Sequence, residues 1–441
     1  MQFSDLKLNK ALLNALADME FVNPTPIQIE AFPVITSGRD MIGIAQTGTG
    51  KTLAYLLPLL RDLKFSKEGK ARILIVVPTR ELVVQVTKEV EKLISYQTVR
   101  VVGVYGGTNI NTQKRKVMEG TDVVVSTPGR LVDLALSGAL NLKQVKKFVI
   151  DEVDEILNLG FRTQLLNILD LIPSKRQNLL FSATMTEEVE KIIHEFFNAP
   201  VKVEISPRGT PVEKIRQSAY PVPNFNSKAN LLQHLLETDD TMSKVLVFVG
   251  TKKMADRLYE RMQELFPMQI GIIHSNKAQN FRLKTVEQFY KNEIRVLIAT
   301  EIIARGLDIV EVSHVVNYHI PEVPEHYLHR IGRTGRADKE GISINFVTEE
   351  ELAYQEAAEV LMNRTITMLP LPDTVEIVDT LIPEEIQRMG GDKNYLQVGL
   401  TETKGAYHDK KLKNTKVNRA QEKRNARKLQ KRSARRKKRP S

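Results

Sequence analysis

The stretch "DMIGIAQTGTGKT" (residues 40–52) reads as a buried strand running into a loop that can hold a nucleotide phosphate chain. The short apolar run "DMIGIA" leads into a loop where Ala45, Gly48, Gly50, Lys51 and Thr52 stand at P-loop spacing, with alanine where glycine is commonest. Glycines let backbone amides turn toward phosphate oxygens. The lysine can reach the β and γ phosphates, and the threonine hydroxyl can bind magnesium. Gln46, Thr47 and Thr49 complete the loop. "LAYLLPLL" (53–60) then reads as a helix whose amide end faces the anion. ATP and Mg2+ are the expected ligands.

Beyond this loop, the runs "RILIVV" (72–77), "DVVVS" (122–126), "KFVID" (147–151) and "NLLFS" (178–182) are apolar without alternation. Strands buried on both faces give that pattern, which predicts a parallel α/β sheet covered by helices. A second series follows: "KVLVFV" (244–249), "QIGIIH" (269–274), "RVLIAT" (295–300), "HVVNYH" (314–319) and "ISINFV" (342–347). Between the series lies the polar, proline-containing "EISPRGTPVEKIRQ" (204–217), which places a domain boundary near residue 209. The expected organisation is two α/β lobes, 1–208 and 209–370, flanking a cleft. "EELAYQEAAEVLMNR" (350–364) reads as a late helix, 371–401 as a C-terminal flank, and 402–441 as a disordered basic tail.

Composition narrows the function. The chain of 441 residues is long for a single core, and 42% of it is hydrophobic. Its net charge of +11 sits in the tail: residues 401–441 hold 17 Lys/Arg against 3 Asp/Glu, leaving 47 basic and 50 acidic residues in 1–400. Such a tail points to a polyanion such as nucleic acid. The absence of cysteine excludes disulfide scaffolds and cysteine-ligated zinc or iron–sulfur sites, and is compatible with the cytoplasm. "MQFSDLKLNK" (1–10) predicts no secretory signal, and no run of 18 apolar residues predicts a membrane span. A monomer is expected.

Two further stretches carry chemistry. "FVIDEVDE" (148–155) ends an apolar run at Asp151 and Glu152. Asp151 can hold magnesium, and Glu152 can orient or deprotonate an attacking water. "HRIGRTGR" (329–336) sets Arg333 and Arg336 three apart, on one face of a helical turn, as arginine fingers toward a triphosphate.

The ordered series of motifs from Phe3 to about Val347 resembles the DEAD-box RNA helicases. The resemblance implies two tandem RecA-like lobes that bind ATP and RNA together, hydrolyse ATP to ADP and phosphate, and locally open short duplexes or remodel RNA–protein complexes. It assigns adenine recognition to Phe3 and to Gln28 of "FVNPTPIQ" (21–28), since a glutamine amide can pair with an adenine edge. It assigns backbone RNA contacts to Arg80 of "PTRELVVQ" (78–85), to Gly106–Gly107, and to Thr127 and Arg130 of "TPGR". In the second lobe the RNA residues are Gln279 and Arg282, then Thr300, Arg305 and Gly306 of "ATEIIARGLDI" (299–309), with Asp308 directed at the ribose. Asp154, Ser182, Thr184 and His329 are the implied coupling residues.

The chain departs from the family pattern in several places. "DEVD" stands where DEAD is usual, so Val153 replaces alanine and is expected to alter packing against Ser182–Thr184. Glu155 stands where arginine is common, Glu301 and His319 each replace an aspartate, and "SNKAQ" after His274 lacks a glycine–aspartate pair. Ribosome assembly in a bacterium is the expected setting. The alternatives are an RNA-binding clamp or assembly factor with little unwinding, and a DNA translocase.

Overall fold

The structure, a computed structural model, describes residues 1–45, 48–205, 215–301, 312–335 and 341–388. One unit spans 1–385; of the second, 386–441, only the first three residues are described.

Seven strands form the first sheet: β1 Met41–Ile44, β2 Ile73–Val76, β3 Val101–Val104, β4 Val123–Ser126, β5 Lys147–Ile150, β6 Gln177–Ser182 and β7 Val201–Glu204. They lie in the order β3-β4-β2-β5-β6-β1-β7, and every pairing is parallel. The non-alternating apolar runs are explained by the two faces. Ile73, Ile75, Val123 and Val125 point into one core with the helix Lys51–Arg61, while Leu74, Val76, Val124 and Ile150 point into another. With a side-chain period of two and both faces covered, every position must be apolar.

The second lobe repeats the design with β8 Ile215–Pro221, β9 Val245–Val249, β10 Ile270–Ile273, β11 Val296–Thr300, β12 His314–Asn317, β13 Gly341–Val347 and β14 Thr367–Met368. Their order is β10-β11-β9-β12-β13-β8-β14, again all parallel. The last three residues of the stretch read as a linker, Ile215–Gln217, already lie in β8. The late helix is Leu352–Met362, entered through a short 3-10 turn at Glu349–Glu351. The chain then returns along the helix Phe225–Thr238. Asn224 donates to Val378 O, and Glu385 accepts from Phe225 N. Among the described residues no helix is long and apolar enough to cross a membrane.

Ligands of open α/β sheets sit outside the carboxyl ends of the strands. Here the order of the first sheet sorts the motifs into two groups. The loops after the adjacent strands β5, β6 and β1 carry Asp151–Asp154, Ser182–Thr184 and the P-loop. The loops after β3, β4 and β2 carry Gly106–Gly107, Thr127 and Arg80.

Candidate functional site

The P-loop turns on glycine. Gly50 has φ +87°, and a Cβ there would meet the Gln28 side-chain nitrogen at 2.4 Å. That close approach is used: Gln28 donates through Nε2 to Gly50 O at 3.0 Å and accepts through Oε1 from Thr25 N at 2.9 Å, a capping box on the helix Pro26–Thr36. An amide carries two N–H groups and two acceptor lone pairs, so Gln28 retains one of each. Phe3 is buried in the first-lobe core, its backbone N–H donating to Val22 O. Gln46 and Thr47 lie outside the described residues, while Ala45 is buried and Gly48 follows with φ +81°.

Lys51 opens its helix, 6% exposed, and its Nζ is buried with no hydrogen-bond partner. It lines one cleft with Glu152, Asp154, Glu155, Ala183, His329 and Arg333, so both lobes contribute to its wall. Glu152 adopts left-handed backbone angles (φ 51°, ψ 51°), uncommon for a residue with a side chain and concentrated at functional sites. Its Oε2 is buried and unpartnered. Desolvation pushes this carboxyl up to about 8, opposed by the Lys51 ammonium and the Arg333 guanidinium and reinforced by Asp151. Asp151 is also raised by burial. Its Oδ1 accepts from Glu152 N at 3.0 Å and its Oδ2 from the Tyr55 hydroxyl at 3.0 Å.

The hard oxygen donors Thr52 and Asp151 fit Mg2+, which takes one or two protein oxygens and completes its shell with phosphates and water. An unpartnered buried ammonium beside them fits a phosphate chain.

Asp154 and the Ser182–Thr184 loop come together closely. Asp154 Oδ2 accepts from Ala183 N (3.2 Å), Thr184 N (3.1 Å) and the Thr184 hydroxyl (2.9 Å), while the Ser182 hydroxyl donates to Thr184 O at 2.6 Å. His329 Nδ1 stands 3.2 Å from Glu155 Oε1, across the lobes. Val153 is fully buried, its methyl groups filling the core with Ile42 and Leu180. Glu301 holds Arg330 at 2.6 Å and His326 at 2.6 Å, and His319 Nδ1 accepts from Gly250 N at 3.2 Å.

On the other half of the first sheet, Gly107 has φ +78°, and a Cβ there would fall 1.9 Å from Arg80 Nη1, so the glycine makes room for that guanidinium. Arg130 is 8% exposed and reaches Gln113 Oε1 (2.8 Å) and Thr108 O (3.1 Å), holding the glycine loop. Thr127 is buried at the start of the helix Pro128–Leu136. From the second lobe, Arg282 Nη1 meets Glu81 Oε1 at 2.9 Å, Gln279 Nε2 donates to the same oxygen at 3.0 Å, and Arg282 donates to Gln279 Oε1. Thr300 is buried at the end of β11. Arg305, Gly306, Asp308 and Arg336 lie outside the described residues.

Sequence reasoning missed Tyr55 and Glu81. Their partners, Asp151 and Arg282, lie far away in the chain, so no spacing signal could have found them.

The family model described as DEAD/DEAH box helicase matches residues 25–192, and that described as helicase conserved C-terminal domain matches 227–338. The DEAD-box ATP-dependent RNA helicase CshA of Geobacillus kaustophilus is 38% identical over 377 residues, 86% of this chain and 80% of that protein. RhpA of Helicobacter pylori, a DEAD-box ATP-dependent RNA helicase, is 39% identical over 354 residues, 80% of this chain and 70% of that protein. Among solved structures, Mss116p bound to single-stranded RNA and AMP-PNP is similar with a TM-score of 0.78 at 30% identity, over 88% of this chain and 83% of that one. Dbp5 of S. cerevisiae, bound to RNA and ADP BeF3, gives 0.75 at 28% identity, over 88% and 98%. With two parallel-sheet lobes, a P-loop and a cleft walled by both, this chain belongs to the DEAD-box RNA helicase family.

Proposed function

We propose that this protein is an RNA-stimulated ATPase that uses lobe closure to open short RNA duplexes locally or to remodel RNA–protein complexes. The observation that carries the reading is the shared cleft. Lys51 and Glu152 of lobe one, each with an unpartnered buried polar atom, face Arg333 of lobe two.

ATP is the substrate. The loop Ala45–Thr52 wraps its phosphates, the Lys51 ammonium neutralises the β and γ oxygens, and Phe3 and Gln28 border the adenine. Gln28 has one N–H and one lone pair left for that edge while it braces Gly50. Magnesium, when bound through Thr52 and Asp151, neutralises phosphate charge. Glu152 accepts a proton from the attacking water as its oxygen bonds to the γ phosphorus, and the bond to ADP breaks. Arg333 and Arg336 stabilise the charge that spreads over the transferred group. Asp308 serves the ribose. Here "DEVD" takes the place of the family's DEAD, with both aspartates and the glutamate kept.

RNA is gripped by its backbone through Arg80, Gly107, Thr127 and Arg130 of lobe one and through Gln279, Arg282, Thr300, Arg305 and Gly306 of lobe two. Sequence preference is therefore weak. Asp154, Ser182, Thr184 and His329 link the two sites. The lobes are taken as 1–208 and 209–370, the flank as 371–401, and 402–441 as a tether for structured RNA, with a monomer working on ribosomal precursors in a bacterial cytoplasm.

The deciding experiment is ATP turnover at one salt concentration without nucleic acid, with RNA, and with matched DNA. Stimulation by RNA alone supports the reading. Equal stimulation by DNA points instead to a general nucleic-acid motor, and RNA-stimulated turnover without strand separation to a clamp.

A further inference from the structure

Tyr55 takes no part in the hydrolysis just described, yet its hydroxyl sits against the metal-holding carboxylate. The residue lies on the helix Lys51–Arg61, is fully buried, and packs its ring against that of Phe181 in β6, centroids 5.2 Å apart and planes tilted by 52°. A phenylalanine would fill that space. The hydroxyl is the informative atom, because a buried phenol needs a polar partner. Its partner is Asp151 Oδ2, at 3.0 Å and 96 residues away. Glu89 and Thr52 also act on the phenol, Thr52 from three residues earlier on the same helix face.

Resting on the assignment of Thr52 and Asp151 to magnesium, we propose that Tyr55 is a positioning residue that sets both ligands for the ion. Asp151 Oδ1 is held by Glu152 N and Oδ2 by the phenol, so the carboxylate is locked in one rotamer and each oxygen keeps lone pairs for a cation. Thr52 has one hydroxyl proton and two lone pairs. To ligate a cation it must turn the proton elsewhere, and the phenol oxygen one helical turn on can accept it. The donors then run one way, from Thr52 to Tyr55 to Asp151. Because β6 lies between β1 and β5, the phenol reaches over Phe181 to join the P-loop helix to the carboxylate two strands away. Outer partners of this kind fix ligand orientation, and their loss typically weakens metal binding about 10–100-fold.

The test uses the full chain and a methylanthraniloyl-labelled ADP as fluorescent probe, titrated with MgCl2 and, separately, bound in EDTA. Tyr55→Phe keeps the ring and removes only the hydroxyl. The expected result is a magnesium half-saturation raised about tenfold, unchanged probe affinity in EDTA, and ATP turnover that recovers at high magnesium. An unchanged half-saturation, or an equal loss of probe affinity in EDTA, overturns the proposal. Tyr55→Leu removes ring and hydroxyl together. If the proposal holds it shows the same magnesium shift whatever its thermal stability, and a shift seen only in Leu assigns the effect to packing and overturns it. Asp151→Asn separates the proposal from its foundation. If that variant leaves the magnesium dependence untouched, the metal assignment itself fails; if it shifts while Tyr55→Phe does not, only the role of Tyr55 is lost.

Discussion

Replacing Glu81 by glutamine tests whether closure of the lobes, rather than local charge, governs RNA affinity. Glu81 is 4% exposed in lobe one, and a single carboxylate oxygen takes both Arg282 Nη1 (2.9 Å) and Gln279 Nε2 (3.0 Å) from lobe two. Breaking a buried ion pair by removing one partner costs about 3–5 kcal/mol, because the remaining charge stays buried and uncompensated. Glutamine retains a carbonyl acceptor, so the lower end, about 3 kcal/mol, is the fair expectation. When the lobes separate, both groups are solvated, and the loss therefore falls on the closed form alone. At about 1.4 kcal/mol per factor of ten, RNA affinity with a non-hydrolysable ATP analogue falls roughly 100-fold, while affinity without nucleotide is unchanged. The sign is diagnostic. Glu81 adjoins Arg80, so removing its negative charge should tighten RNA binding if only local electrostatics mattered. Fluorescence anisotropy with labelled RNA gives the affinities. The chain has no cysteine, so two introduced thiols, one per lobe, report closure by energy transfer without background labelling. Equal or tighter RNA binding with the analogue refutes the argument.

Glu152→Gln is expected to bind nucleotide normally and to lose hydrolysis in single-turnover assays; near-normal turnover would remove Glu152 from its role. The Glu152 carboxyl is raised to about 8 in the folded protein against an ordinary 4.5, so kcat/KM should climb as pH rises through about 8, where the free enzyme's base ionises. The folded chain also holds that proton more tightly than the unfolded chain between those values, so nucleotide-free stability should fall as pH rises from 4.5 toward 8. Chemical denaturation should show a shallower slope in Glu152→Gln. Lys51→Ala is expected to lower turnover at least about 100-fold, as does removal of a transition-state donor elsewhere; a loss confined to KM would mean it binds substrate and transition state alike. Deleting residues 402–441 should weaken RNA binding and flatten its dependence on log salt while leaving RNA-independent ATPase intact. An unchanged salt slope would contradict the tether.

The strands that were legible in the sequence are those covered on both faces. β2, β4, β5 and β6 are buried at nearly every position, and their polar residues stand only at the strand ends. β3 and β7 escaped because each lies at an edge of the first sheet: "VVGV" is only partly buried, and "VKVE" exposes alternate residues. β8 reads "IRQSAYP" for a related reason, since one of its neighbours is the two-residue β14 and half its side chains face outward. The proposed ATP-site residues Lys51, Asp151 and Glu152 could be picked out as candidates because they follow closely on strand ends. Gln28 shows the limit of a motif: its spacing says nothing of the Gly50 carbonyl to which its amide is bonded.

The arrangement also bears on how two ligands can share one engine. Arg80, whose guanidinium fills the space left by Gly107, is followed directly by Glu81, whose carboxylate grips the second lobe. An RNA phosphate bound at Arg80, as proposed, would therefore lie one residue from this contact between the lobes. On the other half of the same sheet, closure sets Arg333 beside Lys51 and Glu152, and His329 beside Glu155. Neither ligand needs to send a signal through the core of lobe one. Each has only to favour the same closed form, and the affinity of one must then rise with occupancy of the other by an equal factor. That reciprocity is measurable. The factor by which the ATP analogue tightens RNA binding should equal the factor by which RNA tightens the analogue, and Glu81→Gln should shrink both together. A variant that shrank one and spared the other would require a second, independent linkage between the sites.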